Sequence, residues 1–357
     1  MTIREGTRWT GAWGCAHRNL RGLLDPGESV FTVSFPNNVP GCALRVKFGN
    51  LYGERCARIA RCEVTVDQPE GTESLDLYSA EGTRDFVVPP GGGSYSAPAR
   101  CSIPAGCTIE VRLTLPHGEV PASGNSMVDS RPLALVSGVE VLAEADVRVV
   151  ACFGDSITHR GTWTAPLRDL LHKAFPGRIS LLEMGVNGNR LLGDSAYMTR
   201  GASGLRRFPH DIMGIAGLTH VIFALGSNDL GHPGVKEWVP FAELPSLSSY
   251  ARVVDSLCRA LTDRGVRVLG ATITPRSWSG EGDDVRERLR TEINDWILHS
   301  STFDEVLDFS GFLSREGVRG LPPEFDSGDG VHINAEAGRK LANHTSPDLF
   351  APGGRIE

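Results

Sequence analysis

Hydrophobic and polar positions alternate along much of the first 145 residues. Segments 44–48, 62–66 and 109–115 carry an apolar side chain at every second position. A period of two is typical of a β-strand with one buried face. Turn-forming clusters such as PNNVPG and PPGGGS separate these segments, and no amphipathic helix interrupts them. The pattern predicts an all-β domain over residues 1–145, built as a jelly-roll-like β-sandwich.

From about residue 146 the pattern changes to continuous apolar runs that alternate with helical periodicity. Runs such as VRVVACF, ISLLEMG, THVIFALG and VRVLGATIT have no extended polar face. Strands of this kind belong in a parallel sheet that helices cover on both sides. Residues 146–357 are therefore predicted to form a doubly wound, flavodoxin-like α/β domain with five parallel strands. Its ligand site should lie beyond the carboxyl ends of those strands.

Composition and charge narrow the classes of function. Hydrophobic residues make up 40% and charged residues 22% of the 357 residues, as in ordinary globular proteins. The formal net charge is -7 and no block of lysine or arginine occurs, so nucleic acid is not an expected partner. No apolar stretch is long enough to span a bilayer, so no membrane span is expected either.

The amino-terminal residues and the cysteines bear on cellular location. The start of the chain lacks an apolar signal core, which favours a cytoplasmic protein. In that compartment the eight cysteines are expected to be reduced thiols. Cys101 and Cys107 bracket a short loop, and they are the pair that could form a disulfide if the protein were exported.

A serine follows the first buried α/β strand at the point where a helix is expected to begin. The segment reads FGDSIT, with Ser156 at its fourth position. There the hydroxyl would be exposed at the mouth of the fold, and the backbone N–H could point at an anion. Such a serine is either a nucleophile or a helix N-cap. The GxSxG elbow of α/β-hydrolases is absent, which disfavours that family.

Two further strand ends carry groups that suit a developing oxyanion. Asn228 follows the third strand, and its side-chain amide could donate a hydrogen bond to the oxyanion. An Asx turn that closes the strand is the alternative role for this residue. Gly188 follows the second strand and, because it has no Cβ, could bring its backbone N–H close to the same point. A positive φ angle is the alternative reason for a glycine there.

Near the end of the chain, Asp329 precedes His332 by three residues, just ahead of a helix that Asn334 is expected to cap. This spacing lets the carboxylate hold the imidazole Nδ1–H, which leaves Nε2 free to take a proton from a serine. The alternatives for this histidine are a structural hydrogen bond or a metal bound together with Asp329. No HExxH-type spacing completes a metal site, so neither a metal nor a cofactor is expected.

Together, in chain order, these elements resemble the four blocks of the GDSL-type SGNH hydrolases. The matching residues are Gly154-Asp155-Ser156, Gly188, Gly226-Ser227-Asn228-Asp229 and Asp329-Gly330-Val331-His332. Residues 149–343 are similar to a subgroup that carries NGNRLL, LRRFPHDI and DSGD, and residues 1–145 are similar to the β module that precedes its hydrolase domain. His159 is a departure, since many relatives have an acidic residue shortly after the serine, and it is expected to shape the pocket rim or to lie in solvent.

The resemblance implies that Ser156 attacks an ester carbonyl. The implied site consists of the catalytic Ser156, His332 and Asp329, the oxyanion-hole groups of Ser156, Gly188 and Asn228, and the supporting Asp155, Asp229 and Arg190. His332 would act as general base and then general acid, while Asp329 orients it. The two supporting aspartates are expected to brace their own loops. Arg190 is expected to hold in place the loop around Gly188, which we call the glycine loop.

Ester hydrolysis of an acylated small molecule or sugar is the function that this resemblance predicts. The triad does not decide whether water or another hydroxyl accepts the acyl group. The alternative is an O-acyltransferase that moves an acyl group, for example from acyl-CoA as donor substrate, to a hydroxyl of a glycosylated natural product. The arginines that would meet coenzyme A phosphates, or else brace loops, are Arg160, Arg190, Arg200, Arg206 and Arg207.

A further alternative is a non-catalytic glycan-binding protein in which the β domain recognises a sugar. The tryptophans that would stack on a sugar ring, or else pack internally, are Trp9, Trp13, Trp163, Trp238 and Trp278. A chain that had lost catalysis would be expected to lack Ser156, His332 or an oxyanion residue. All of these are present, which favours an enzyme.

Overall fold

A computed structural model describes residues 5–68, 71–126, 132–195, 200–235, 239–278 and 282–352 of the chain. Trp238 lies outside these residues. Among the helices of the described ranges, none is long and apolar enough to cross a membrane. The structure divides into an antiparallel part, which we call the β module, and a parallel α/β part that follows it.

The β module contains fourteen strands in the described residues. They are β1 (Thr7–Gly14), β2 (Arg18–Asn19), β3 (Val30–Asn37), β4 (Gly41–Gly49), β5 (Ala57–Ile59), β6 (Arg61–Gln68), β7 (Gly71–Asp76), β8 (Phe86–Val88), β9 (Gly93–Tyr95), β10 (Ala99–Ile103), β11 (Cys107–Thr114), β12 (Ser123–Ser126), β13 (Pro132–Ala134) and β14 (Val136–Glu144). One sheet has the order β1-β14-β4-β10, with β9 also paired to β4, and a second has the order β3-β11-β6-β7. Smaller sheets are β13-β12-β2 and β5-β8.

The two larger sheets share one apolar core, and the alternation predicted for segments 62–66 and 109–115 is present in β6 and β11. In β3 the burial pattern is strictly alternating, so Phe31, Val33 and Phe35 point inward. Val33 pairs with Val111 of β11, which pairs in turn with Val64 of β6, so buried side chains line up across three strands. The predicted all-β sandwich is therefore confirmed for the first part of the chain.

The cysteines of the β module are separate thiols. Cys101 and Cys107 are both buried and not bonded to each other, so the alternative of a disulfide between them is not realised. Burial raises the pKa of the Cys101 thiol to about 12, which keeps it protonated and unreactive at neutral pH.

The α/β part contains five strands and eight α-helices in the described residues. The strands are β15 (Arg148–Gly154), β16 (Ile179–Gly185), β17 (Leu218–Ala224), β18 (Arg267–Ala271) and β19 (Glu305–Leu307). The helices are α1 (Ser156–His159), α2 (Thr164–Ala174), α3 (Gly204–Asp211), α4 (Ser227–Gly231), α5 (Leu247–Thr262), α6 (Asp283–His299), α7 (Phe309–Leu313) and α8 (Ala335–His344). Short 3₁₀ helices occupy Phe241–Glu243 and Pro347–Phe350.

The five strands form one parallel sheet in the order β16-β15-β17-β18-β19, which confirms the predicted doubly wound fold. Alternate residues of β15 enter two different cores. Val149, Ala151 and Phe153 face the core shared with α3, α5 and α6, whereas Val150 and Cys152 face the core shared with α2, α7 and α8. Burial on both faces explains why this strand reads as an unbroken apolar run.

The strand order places a topological switch point at the carboxyl end of β15. The chain leaves β15 for β16 on one side and later returns to β17 on the other. A crevice at such a point is where ligands bind in open α/β sheets. The segments that follow β15, β16 and β17 contain Ser156, Gly188 and Asn228, respectively.

The β module contacts the edge of the parallel sheet. β14 ends at Glu144 and β15 begins at Arg148, so the antiparallel and parallel parts are separated by a short turn. β1 lies along β16, where Cys15 forms a parallel bridge with Glu183. Ser180 Oγ of β16 also donates a 3.2 Å hydrogen bond to a backbone carbonyl in β1. β1 thereby covers the outer strand of the sheet.

Candidate active site

The turn from β15 into α1 holds Ser156 at the end of the strand. A Cβ on Gly154 would lie 2.0 Å from Thr158 Oγ1, so only glycine fits there. Asp155, not Ser156, caps the helix, because its carboxylate accepts a 3.0 Å hydrogen bond from the Ile157 N–H. Ser156 is therefore not the N-cap. Burial raises the pKa of Asp155 to about 6 against the influence of that hydrogen bond.

Ser156, His332 and Asp329 lie together in one hydrogen-bonded chain. The His332 Nε2 atom lies 2.8 Å from Ser156 Oγ, and His332 Nδ1 lies 2.6 Å from Asp329 Oδ2. Both ring nitrogens therefore have partners within the protein.

The charge states of His332 and Asp329 follow from their surroundings. Burial lowers the pKa of His332, and the positive charge of Arg160 adds to the effect, although the hydrogen bond to Asp329 opposes it. Burial opposes ionisation of Asp329, but hydrogen bonds from the backbone and side chain of His332 and from the Val331 N–H lower its pKa to about 2. At neutral pH the pair is a neutral imidazole beside a carboxylate.

The loop that carries the histidine is held by Asp326, which sequence reasoning missed. Its carboxylate accepts hydrogen bonds from the N–H groups of Gly328, Asp329 and Gly330 at 2.9–3.2 Å. The Gly330 carbonyl accepts a 2.6 Å hydrogen bond from the Ser277 N–H, beyond the end of β18. The DSGD segment stands out in the sequence as a family feature, but spacing alone assigns its first aspartate no role.

In the glycine loop after β16, Gly188 has the positive φ angle that was one of the two reasons considered for a glycine there. Its φ angle is +66°, and a Cβ would lie 2.8 Å from the Arg200 side chain. Within the described residues, neither the Gly188 N–H nor the Ser156 N–H has a hydrogen-bond acceptor. Both backbone donors are thus unoccupied.

Asn228 and Asp229 connect the loop after β17 to the glycine loop. One amide hydrogen of Asn228 Nδ2 is donated to the Asn189 carbonyl at 3.0 Å, which leaves the second available. The Asp229 carboxylate accepts hydrogen bonds from the Leu191 and Leu192 N–H groups at 2.7 and 2.9 Å. Asp229 therefore braces a neighbouring loop, whereas the sequence led us to expect that it braces its own. Asp155 does brace its own turn.

Two buried arginines help to hold the glycine loop in place. Arg190 is 4% exposed and forms a 2.8 Å ion pair with Glu243, in the 3₁₀ helix Phe241–Glu243. Arg207 of α3 donates to the Gly154 carbonyl at 2.7 Å, to the Met184 carbonyl at 2.9 Å and to Asn189 Oδ1 at 2.9 Å. It joins the ends of β15 and β16 to the glycine loop. The LRRFPHDI segment contains this arginine, but nothing in the segment predicts this role.

Arg276, beyond β18, is a further residue that the sequence did not single out. It is 9% exposed, and its Nη1 lies 2.9 Å from both the carbonyl and the hydroxyl oxygen of Ser227. The residue therefore fixes the segment that presents Asn228. Its charge also lowers the pKa of His332, although burial and the charge of Arg160 lower it more.

The β module reaches the glycine loop through Tyr52. Tyr52 Oη accepts a 2.9 Å hydrogen bond from the Ala202 N–H, and the Ala202 carbonyl accepts a 2.8 Å hydrogen bond from Asn189 Nδ2. Asn189 follows Gly188 directly. A short series of hydrogen bonds therefore links the β module to the strand-end loop beside Ser156.

The described tryptophans are mostly engaged within the protein. Trp163 is 1% exposed, Trp13 is stacked on Phe35, Trp9 lies beneath Arg45 and Trp278 lies beneath Arg276. His159 is half-buried near the site.

Comparison with known proteins identifies the family. The sequence model of the GDSL-like lipase/acylhydrolase family matches residues 152–340, which is more than half of the chain. The chain belongs to this family. The protein is therefore an enzyme, and ester hydrolysis is the activity of its family. No protein of curated function matches the sequence significantly.

The chain is also similar to solved structures, two of which are named as esterases. The carbohydrate acetylesterase Est24 from Sinorhizobium meliloti is 18% identical, with 57% of this chain and 97% of that chain covered and a TM-score of 0.43. The acetyl xylan esterase AlAXEase is 20% identical, with 55% and 96% covered and a TM-score of 0.41. A putative G-D-S-L lipolytic protein from Desulfitobacterium hafniense is 16% identical, with 55% and 95% covered and a TM-score of 0.40.

Proposed function

We propose that the protein hydrolyses esters of small acylated molecules, acylated sugars among them, through an acyl-enzyme on Ser156. The observation that carries the proposal is the hydrogen-bonded chain from the Ser156 hydroxyl through His332 to Asp329. A hydroxyl that contacts a neutral imidazole, itself held by a carboxylate, can be deprotonated as it attacks a carbonyl.

The proposed reaction proceeds in two half-reactions. His332 Nε2 accepts the Ser156 proton as Oγ bonds to the ester carbonyl carbon. The tetrahedral intermediate then loses the alcohol, whose oxygen receives that proton from His332. Water attacks the acyl-enzyme in the same way, the acid leaves, and Ser156 regains its proton. Asp329 remains ionised and holds the Nδ1–H throughout.

Three donors are proposed to stabilise the oxyanion. They are the unoccupied N–H groups of Ser156 and Gly188 and the second amide hydrogen of Asn228 Nδ2. Because Asp229, Arg190 and Arg207 hold the surrounding loops, these donors need little rearrangement when charge develops.

Asn228→Ala is expected to lower kcat about 10²- to 10³-fold, as loss of one oxyanion donor does elsewhere. KM should change little, because the hydrogen bond forms fully only in the transition state. Steady-state kinetics with p-nitrophenyl acetate measures both constants, and thermal unfolding checks that the Asn189 contact was not essential for folding. A loss of less than threefold in a folded variant would remove Asn228 from the oxyanion hole.

The acid limb of the pH profile is expected below pH 6.5. His332 must be neutral to act as a base, so kcat/KM falls as pH drops through its pKa, which burial lowers. Arg160→Gln should move the limb to higher pH, because a positive charge that disfavours the imidazolium is removed. Arg178→Gln, at an exposed ion pair with Asp146, is the matched control. A limb at pH 7 or above would contradict the lowered pKa of His332, and a limb that Arg160→Gln leaves unmoved would contradict its assignment to His332.

The environment of the arginines speaks against acyl-CoA as the acyl donor. Arg190 and Arg207 are buried and paired with carboxylates, and Arg206 is paired with Asp194. Arg160 lies 3.8 Å from Asp329, and Arg200 lies 3.4 Å from His232 Nε2. Most of these charges are thus already engaged by protein groups, which argues against a coenzyme A phosphate site formed by these arginines.

The experiment that tests the proposal follows both the donor and the acyl group. The full chain is mixed with p-nitrophenyl acetate, xylose tetraacetate or acetyl-CoA, with and without a sugar acceptor, and both intact protein and products are analysed by mass spectrometry. Hydrolysis predicts release of acid at the same rate with or without acceptor, and a transient acetyl group on Ser156. Slow donor loss that accelerates with an acceptor and yields a new ester would establish the acyltransferase instead.

We also propose that residues 1–145 form an accessory domain that steadies the glycine loop through Tyr52. Tyr52→Phe removes the acceptor of the Ala202 N–H, and a hydrogen bond of this kind contributes about 0.5–1.5 kcal/mol to stability. If that energy is needed mainly to hold Gly188 in the transition state, kcat should fall roughly two- to tenfold, with KM nearly unchanged. Tyr78→Phe, at an exposed tyrosine of the same domain, should have no effect. An unchanged kcat for Tyr52→Phe would show that the contact does not support the site.

A further inference from the structure

Three cysteines of the β module lie near one another. Cys42 is in β4, Cys101 is in β10 and Cys107 begins β11. Cys101 and Cys107 are buried in the apolar core of the module, whereas Cys42 is exposed. Burial is the main cause of the raised pKa of Cys101, and Glu73, Cys107 and Cys42 are all close enough to raise it further. An exposed thiol thus has a buried thiol as a neighbour.

The register of β4 and β10 brings Cys42 and Cys101 opposite each other. The two strands are antiparallel, and their register shifts by one residue near the cysteines. The paired residues on either side of the shift are Arg100–Ala43 and Ile103–Gly41. Cys101 and Ser102 therefore both lie opposite Cys42, as two residues lie opposite one in a β-bulge.

Cys42 and Cys101 also share one face of the sheet. Residues two positions apart in a strand point to the same side, so Cys42 points to the side of the buried Leu44. Cys101 belongs to the same core as Leu44. Opposite residues of an antiparallel pair have Cα atoms about 4.5–5.5 Å apart, and a disulfide needs about 4.4–6.8 Å. The two thiols can therefore be joined with little movement of the backbone.

Cys107 is placed differently from this pair. It lies in the other large sheet, opposite Asn37 of β3. Its Sγ accepts a 3.5 Å hydrogen bond from Asn37 Nδ2. Cys42 and Cys101 are instead direct neighbours within one sheet, so the strand register favours their pairing over a bond from either residue to Cys107.

We propose that Cys42 and Cys101 form a reversible oxidation site, which a small disulfide such as oxidised glutathione closes into a disulfide bond across β4 and β10. The Cys42 thiolate attacks one glutathione sulfur, forms a mixed disulfide and releases one glutathione. Cys101 then attacks the Cys42 sulfur and releases the second glutathione. The protein loses two electrons and two protons, and both go to the two glutathione thiols. Ser156 takes no part, so the site is independent of the proposed ester hydrolysis.

Burial of Cys101 makes the second step slow at neutral pH. With a pKa of about 12, this thiol does not react directly with an oxidant in solution, whereas the exposed Cys42 can. The mixed disulfide on Cys42 should therefore accumulate at pH 7. Closure should accelerate about tenfold per pH unit between pH 7 and 9, because the thiolate fraction of Cys101 grows in that proportion.

The test treats the folded full chain with oxidised glutathione, blocks the remaining thiols with N-ethylmaleimide and maps tryptic peptides without reduction. Cys42 falls in the peptide 22–45, and Cys101 and Cys107 both fall in the peptide 101–112. The expected product is these two peptides joined, with N-ethylmaleimide on Cys107. Fragmentation of the joined peptides between residues 101 and 107 identifies the bonded cysteine, and dithiothreitol should separate the peptides again.

Cys101→Ala is the sharpest variant, because it keeps Cys42 and Cys107 but removes the attacking thiol. Its peptide 22–45 should retain one glutathione at pH 9, where the wild type closes. Cys56→Ser, at another exposed cysteine, is the matched control and should close at the rate of the wild type. Cys107→Ser should also close.

Several results would overturn the proposal. These are a bond to Cys107 in the wild type, loss of closure in Cys107→Ser, and the absence of joined peptides after prolonged oxidation at pH 9. A closure rate that is the same at pH 7 and pH 9 would show that the buried Cys101 is not the attacking thiol. Circular dichroism checks that each variant is folded. Should Cys101→Ala fail to fold, the peptide map of the unaltered protein decides alone.

Discussion

Ser156→Ala is expected to lower kcat for p-nitrophenyl acetate about 10⁴- to 10⁶-fold, the range found when the nucleophile of a serine hydrolase is removed. Without the hydroxyl no acyl-enzyme forms, so His332 has no proton to accept from residue 156. Residual activity would reflect oxyanion stabilisation and binding alone. Intact-protein mass spectrometry should also show that the variant no longer acquires an acetyl group.

The fold should survive this substitution, because the helix cap at the turn is supplied by Asp155 and not by Ser156. Circular dichroism and thermal unfolding check this expectation. Ser248→Ala, at an exposed serine of α5, is the matched control and should keep full activity. Retention of more than a tenth of wild-type activity by Ser156→Ala would mean that another group is the nucleophile.

Asp329→Asn is expected to cost about 10⁴-fold in kcat, by analogy with the same change in trypsin-type triads. The amide nitrogen would face His332 Nδ1 and donate to it, so the proton would move to Nε2. That tautomer cannot accept the Ser156 proton. Oδ1 would still accept from the Val331 and His332 N–H groups, so the loop should keep its shape.

Asp326→Asn is the matched comparison for this second prediction. Asp326 holds the same loop through backbone N–H groups but does not contact the imidazole. Its amide variant keeps one acceptor oxygen, so its loss of rate should be far smaller. Equal losses for the two variants would show that Asp329 acts by holding the loop and not by selecting the tautomer of His332.

The parts of the fold that sequence could predict are those with a local periodic signal. The alternation in β4, β6 and β11 marks a half-buried strand within a few residues, and the run in β15 marks burial on both faces. Short strands such as β5, β8 and β9, three residues each, offer too few positions for a period to emerge.

The candidate site also has parts that the sequence could predict and parts that it could not. Ser156, Asn228 and the 329–332 segment follow predictable strand or loop ends, so chain order suffices to bring them to one edge of the sheet. The contacts of Asp229 with the Leu191 and Leu192 N–H groups and of Arg207 with the Gly154 carbonyl were missed because these backbone groups come from distant segments. No pattern of residue types records which carbonyl or N–H a buried side chain will reach.

The position of β1 has a consequence for how this chain can be cut or recombined. A bare edge strand offers unpaired N–H and C=O groups to any other chain, which promotes aggregation. β1 shields β16 through the Cys15–Glu183 bridge and the Ser180 hydrogen bond. A truncated chain that begins after β14 would expose this apolar strand to intermolecular pairing. Any other amino-terminal module that is fused to the α/β part must therefore supply a strand that covers β16.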